Sequence, residues 1–158
     1  MKLATSRFGE IAVEADDVIT LTQPIIGFQE FRRFVLLPGP EDSAVEWLQS
    51  VENGDLAFLV MDPRQVLPEY EVSLGRHELS ELAISDASEL AVYTLVVVPD
   101  DPRKVRTNLK APIVINLKHR LGKQTVLDHS DYPIQYYLAQ SRPASESPEE
   151  VSNARTDA

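Results

Sequence analysis

No cysteine occurs anywhere in the chain. A disulfide, a thiolate-bound zinc and a thiol nucleophile are therefore excluded, and the absence fits a reducing compartment. Basic residues are scarce as well: 15 Lys and Arg stand against 25 Asp and Glu, a formal net charge of −10. Such a chain repels phosphate backbones unless its few cations share one face. Its densest basic stretch, Arg103, Lys104, Arg106 and Lys110, adjoins Asp100 and Asp101. Direct nucleic-acid binding is thus not expected. A basic protein partner is the natural reading of the charge, because opposite charges speed encounter, although acidity also simply keeps a domain soluble. The six glycines, at 9, 27, 39, 54, 75 and 122, are too scattered for a P-loop or a dinucleotide fingerprint. Long apolar runs are missing too. The longest, Leu90 to Val98, is far too short to cross a bilayer as a helix. Met1 to Glu10 carries Arg7 and Glu10 and lacks a signal-peptide core. The expectation is a soluble cytoplasmic protein with no membrane association.

What is present is an ordinary globular balance, 43% hydrophobic and 25% charged over 158 residues, enough for one domain with its own core. Residues 1–138 alternate apolar runs with turn residues, whereas the last stretch, residues 139–158, has almost no apolar side chains. It cannot bury enough surface to offset the entropy of ordering, so it is expected to be a disordered tail. The domain reads mostly as strands. Ile11 and Val13 oppose Glu10 and Glu14, and with Phe8-Gly9 before them residues 2–14 form a hairpin. Ile19 and Leu21 oppose Thr20 and Thr22. Phe34 to Leu37 is stopped by Pro38-Gly39-Pro40. Val45, Trp47, Gln49 and Val51 share one face, and Asn53-Gly54 turns the chain into Leu56 to Met61. Ala91 to Val98, apolar on both faces apart from Thr94, predicts a central strand buried on both sides. Ile113 to Leu117 and Gln124 to Leu127 pair through a turn at Arg120 to Lys123. One helix is predicted over His77 to Ile84, with Leu79, Leu82 and Ala83 inward and Glu78 and Glu81 outward. About eight short strands with one short helix predict a mainly β fold, a compact antiparallel barrel-like domain.

No catalytic or metal motif emerges. His77, His119 and His129 form no HExxH or other spaced pair. His129 lies between Asp128 and Asp131, but a solvated loop explains that cluster better than a metal site. Gly-x-Ser-x-Gly is absent, and acidic pairs such as Asp16-Asp17 and Asp100-Asp101 lie in turn-like stretches. Neither a cofactor nor an enzymatic activity is expected.

Several segments carry a resemblance. They are Phe8-Gly9-Glu10-Ile11, Gly27-Phe28, Trp47-Leu48-Gln49-Ser50, Asp55-Leu56-Ala57-Phe58, Asp62-Pro63 and Pro68-x-Tyr70. The densest block joins Val98-Pro99-Asp100-Asp101-Pro102 to the run from Thr107 through Ala111-Pro112 to Asn116. Arg120-Leu121-Gly122-Lys123-Gln124 and Tyr132-Pro133 close the series. In order and spacing these segments resemble the FliW family of flagellar assembly factors, apart from the C-terminal tail. The resemblance implies a compact β-barrel and two protein partners. One is flagellin, held before export. The other is CsrA, the small RNA-binding repressor of flagellin translation. The two compete, so export of flagellin frees the factor to sequester CsrA. Charge alone suggests an acidic mimic of RNA; the family resemblance implies that CsrA is engaged away from its RNA surface and inhibited allosterically.

The candidate partner-binding residues are Tyr70, Glu71, Asn108 and Asn116. Tyr70 and Glu71 place an aromatic beside a carboxylate after Pro68, either as a contact anchor or, for Tyr70, as core packing. Asn108 and Asn116 flank Ala111-Pro112, and tying down their own loops is favoured over contacting a partner's backbone. Ile25, Ile26, Phe28, Phe31 and Phe34 are read as a plug closing one barrel end rather than an exposed patch, and Trp47 as core. The rival class is a small ligand-binding or hydrolytic β-barrel. A deep polar pocket would favour it; a filled barrel with an acidic, exposed strand edge would favour the binding module.

Overall fold

The computed structural model describes residues 1–40 and 43–140. Its strands are β1 (Lys2–Thr5), β2 (Gly9–Ala12), β3 (Ile19–Gln23), β4 (Arg33–Pro38), β5 (Val45–Ser50), β6 (Ala57–Met61), β7 (Leu90–Val97), β8 (Arg106–Thr107), β9 (Ile113–Asn116), β10 (Leu121–Gln124) and β11 (Tyr136–Tyr137). The single α-helix among the described residues, α1, is Arg76–Glu81. Of the expected tail, residues 139–158, all from 141 onward lies outside the described residues, whereas Ala139 and Gln140 belong to a short 3-10 turn, Leu138–Gln140.

Pairing runs β7-β6-β5-β4-β3-β10-β9 and returns from β9 to β7, a closed barrel of seven strands. Every neighbouring pair is antiparallel except β3 with β10, where Thr20 faces Leu121 and Leu21 faces Gly122 in parallel. Parity requires this: a ring with an odd number of strands cannot alternate direction all the way round. The fold is mainly β as expected, and this one parallel seam is what the expectation of an antiparallel barrel omits.

The strand patterns explain the core. Ile19, Leu21, Phe34, Leu48, Val60, Ile113 and Ile115 point into the barrel and fill it, all at 1% exposure or less. Each such side chain contributes about 1.5–3 kcal/mol by leaving water. On β7 and β9 the alternate residues are buried as well. Val92 and Val114 face outward into a second core with Tyr70, Leu82 and Leu109. The central position expected for β7 is correct over Leu90 to Val96, but its end emerges, with Val97 and Val98 exposed. No helix among the described residues is long and apolar enough to cross a membrane.

Four local readings need correction. Trp47 is not core: it lies half-buried on the outer face of β5, under the β1–β2 hairpin, while its neighbour Leu48 fills the barrel. The Arg7 guanidinium sits 4.2 Å over the Trp47 ring and Phe8 meets it edge-on at 6.0 Å. Gly54 belongs to a longer β5–β6 connection, with Gln49 opposite Ala57. It is glycine because a Cβ there would stand 1.9 Å from the Ala4 carbonyl oxygen. The β9–β10 turn falls at Leu117–Arg120, not Arg120–Lys123: Asn116 pairs Leu121, Gly122 lies within a strand, and Arg120 takes a φ of 55°. Finally, α1 stops at Glu81, and Ala83 is exposed with a φ of 55°. Glu78 and Glu81 do not point to open solvent but pair with Lys123 of β10 at 3.3 and 3.1 Å.

Candidate protein-binding face

Outside the second core, the chain from Leu67 to Gly75 crosses the outer wall of the barrel beside the loop that follows β10. Tyr70 fixes it there. Its ring is 1% exposed and packs on Tyr132 with centroids 4.5 Å apart, and its hydroxyl donates to the Leu109 carbonyl at 2.6 Å. Burial, then the nearby Tyr132, pushes the Tyr70 phenol well above its ordinary range. Tyr70 is therefore an internal strut, and its ring offers no surface to a partner in this conformation. The Tyr132 hydroxyl in turn accepts the Glu71 backbone N–H at 3.0 Å. From here exposure alternates: Glu71, Ser73 and Gly75 face solvent while Val72 and Leu74 pack on the second core.

The two asparagines are internal as well. Asn116 is fully buried, donates its amide to the carbonyls of Leu82 (2.9 Å) and Ala83 (3.1 Å), and accepts from the N–H of Lys118 and His119. Two donors and two acceptor positions are thus used, the full capacity of the side chain. It locks the end of α1 to the β9–β10 turn. Asn108 is half-buried and accepts from the N–H of Lys110 and Ala111, an Asx-type turn leading into Pro112. The structural alternative weighed for both residues is the one their hydrogen bonds display. Of the four candidates only Glu71 is exposed.

Glu71 stands on the wall of a groove. One wall is Glu71, Ser73 and Gly75; the other is residues 125–130, and the space between is about 470 Å3. A second depression of about 770 Å3 continues it past Arg64, Asp131 and Tyr132. At its floor Glu78 accepts the Thr125 hydroxyl at 2.7 Å. Burial alone would raise the Glu78 pKa, but hydrogen bonds from Thr125, the Gly75 N–H and Lys123 outweigh it and hold the carboxyl below its usual range. Burial would likewise raise the Glu81 pKa, but hydrogen bonds from Lys123, Thr22 and Gln23 override it and hold that carboxyl below its usual range. His129 lies on this wall beside Asp128 and near Asp131, yet no three His, Cys, Asp or Glu side chains among the described residues converge to hold a metal.

The apolar segment after β3 divides. Ile25 and Phe34 are in the barrel core, and Phe31 packs against it, as a plug should. Ile26 is 66% exposed, and Phe28, 37% exposed, rests edge-on against Phe58 at 4.9 Å. Sequence reasoning missed Tyr132 and Lys123. Both fall within segments that carry the family resemblance, but nothing there marks them as site residues, since partners 62 and 42–45 positions away show no periodicity; the Tyr132–Tyr70 and Lys123–Glu81 contacts exist only in the fold.

Comparison with known proteins then places the chain. Residues 2–138 match the sequence model of the FliW protein family. The flagellar assembly factor FliW of Thermoanaerobacter pseudethanolicus is 37% identical over 159 residues, covering 100% of both chains. That of Geobacter sulfurreducens is 39% identical over 148 residues, 94% of this chain and 92% of the relative. A crystal structure of the flagellar assembly factor FliW aligns at a TM-score of 0.81 and 36% identity, covering 87% of this chain and 96% of that one. The sequence match extends from the β1–β2 hairpin past β11, the fold is shared over most of the chain, and the chain belongs to the FliW family.

Proposed function

We propose that this chain serves flagellar assembly as a binding protein without catalytic activity, acting in the cytoplasm on two competing partners. It holds flagellin before export. When flagellin leaves, it sequesters the repressor CsrA, and flagellin translation resumes. The observation that carries this reading is the family match over residues 2–138, in which relatives bear the name flagellar assembly factor.

Two features support it over a ligand-binding or hydrolytic barrel. The barrel interior is filled by apolar side chains such as Leu21, Phe34 and Ile115 rather than lined by converging polar groups. The exposed segment at Glu71 is acidic and faces the groove beside Asp128 and Asp131. A net charge of −10 favours fast encounter with a basic protein.

A competition titration with purified components tests the proposal. Flagellin is expected to displace CsrA, and the association rate with CsrA to fall with salt more than the dissociation rate rises. Glu71→Lys is expected to weaken CsrA binding while leaving the fold intact. A stable ternary complex of all three proteins would overturn the partner switch.

A further inference from the structure

We infer that the groove between residues 71–75 and 125–130 is a docking slot for an extended, basic peptide segment, which would lie in it as an added β-strand. This goes beyond the partner switch. It specifies the form in which a ligand is held, and it stands or falls whether or not CsrA and flagellin prove to be the partners.

The first observation is backbone polarity. On one wall the N–H of Thr125 donates to Pro112 and that of Leu127 to Lys110, at 2.9 and 2.8 Å, extending the ladder with the chain before β9. Alternate residues of a strand point their N–H and C=O to opposite sides. The backbone groups of Val126 therefore point away from that ladder, toward the groove; at Leu127 the chain turns, its carbonyl accepting the Ser130 N–H at 3.1 Å and setting Asp128 at the rim of the slot. On the other wall the Glu71 N–H points to Tyr132, and the alternating burial of residues 71–75 carries Ser73 to the same side. Among the described residues, none hydrogen-bonds to the backbone of Ser73, Val126 or Asp128. Two short extended segments with unpaired backbone groups thus flank one slot. An open edge is a template for another strand, and natural proteins usually cover or blunt it. Main-chain hydrogen bonds to a peptide entering such a slot supply affinity, and the flanking side chains supply selectivity.

The second observation is charge. Glu71, Asp128 and Asp131 stand on the walls against one arginine, Arg64. Glu78 beneath them is already engaged by Thr125 and by Lys123, which it shares with Glu81, so this pair keeps one net negative charge under the slot. Val126, 43% exposed, offers one apolar contact beside them. A peptide alternating basic with β-branched residues complements this lining; an acidic one does not.

The probe is an acetylated, amidated heptapeptide alternating Lys and Val, titrated into the isotope-labelled full chain and followed by amide resonances and hydrogen exchange. Saturable shifts at Ser73, Val126 and Asp128 are expected, with exchange there slowed at least about tenfold at saturation. The Glu–Val counterpart, and the Lys–Val peptide N-methylated at alternate residues, should bind at least about fivefold more weakly. Asp128→Lys should weaken the basic peptide by a similar factor. If that variant loses its dispersed spectrum, Glu71→Gln, on the opposite wall, takes its place. Shifts centred elsewhere, equal binding of the acidic or N-methylated peptide, or no binding at millimolar peptide would each overturn the inference. None of these results depends on the CsrA–flagellin competition, so the two readings fail separately.

Discussion

Replacing Tyr70 with Phe separates its two possible roles with the loss of one oxygen. The ring keeps its shape, its place in the second core and its contact with Tyr132. What goes is the hydroxyl that donates to the Leu109 carbonyl at 2.6 Å, in a region where both residues are at most 1% exposed. Among the described residues that carbonyl has no second donor. A buried acceptor left unsatisfied costs about 1–3 kcal/mol. In a domain of this size each kcal/mol corresponds to about 3–4 °C, so the melting temperature should fall by about 3–12 °C. Thermal unfolding followed by circular dichroism, with urea titration as a second measure, reads the change. The dispersed native spectrum should persist, because no volume is lost from the core. A melting temperature within about 1 °C of the parent would refute the strut. Unchanged stability together with lost partner binding would return Tyr70 to the contact surface.

Three further outcomes follow from other contacts. Lys123→Met leaves Glu78 and Glu81 side by side without their shared cation, and should cost about 1–3 kcal/mol at neutral pH, given the partial exposure of all three side chains. Both carboxyls have folded pKa values held below the ordinary one, so their contribution is present above about pH 4.5 and is lost as pH falls through the folded values. The cost of Lys123→Met should therefore shrink at pH 3.5 in urea unfolding, and an equal cost at both pH values would contradict the ion-pair account. Gly54→Ala drives a Cβ into the Ala4 carbonyl and should lift the β1–β2 hairpin, which a red shift of Trp47, the sole tryptophan, would report; an unchanged emission spectrum would remove the close-contact argument. Tyr93, whose phenol is pushed up to about 12 by burial and by the neighbouring Glu46 and Asp62, contributes stability that is complete below pH 10 and is lost as pH rises toward 12; Tyr93→Phe should flatten that alkaline decline.

The strands were legible because half-buried strands write a period of two. β3 reads Ile19, Leu21 against Thr20, Thr22 in the sequence and shows the same division in burial. The pattern misled where both faces are covered. On β5 the Trp47 face lies under a hairpin and the Leu48 face fills the barrel, so apolarity cannot say which is the interior. Glycine misled at Gly122, read as a turn. There a Cβ would crowd Ile115 and the Val114 carbonyl at 3.1 Å, and the left-handed residue of the actual turn is Arg120. Of the candidate residues, Glu71 reads as exposed in both sequence and structure. For Asn116 the favoured structural role is the one its hydrogen bonds display, and for Tyr70 the core-packing alternative; the sequence could not name their partners, Leu82 and Leu109, which lie 34 and 39 positions away. The family resemblance, carried by ordered segments spread over most of the chain, proved the more reliable guide, since matched segments survive errors in any one strand boundary.

The single parallel seam of the barrel also sets the order in which the molecule can be made. Strand β3 must hold residues 19–23 ready until residues 121–124 arrive, and closing a loop of about 100 residues costs about 4 kcal/mol in chain entropy alone. On the ribosome, β3 to β7 emerge first as an open meander with two unpaired edges, and the two strands that join them, β9 and β10, are still unsynthesised. At about 5–20 residues per second, that exposed interval lasts seconds. Folding of this chain is therefore expected to be slow and to finish only after β10 has cleared the exit tunnel. Its most aggregation-prone moment precedes any contact with a partner: the nascent sheet waits for its last strand.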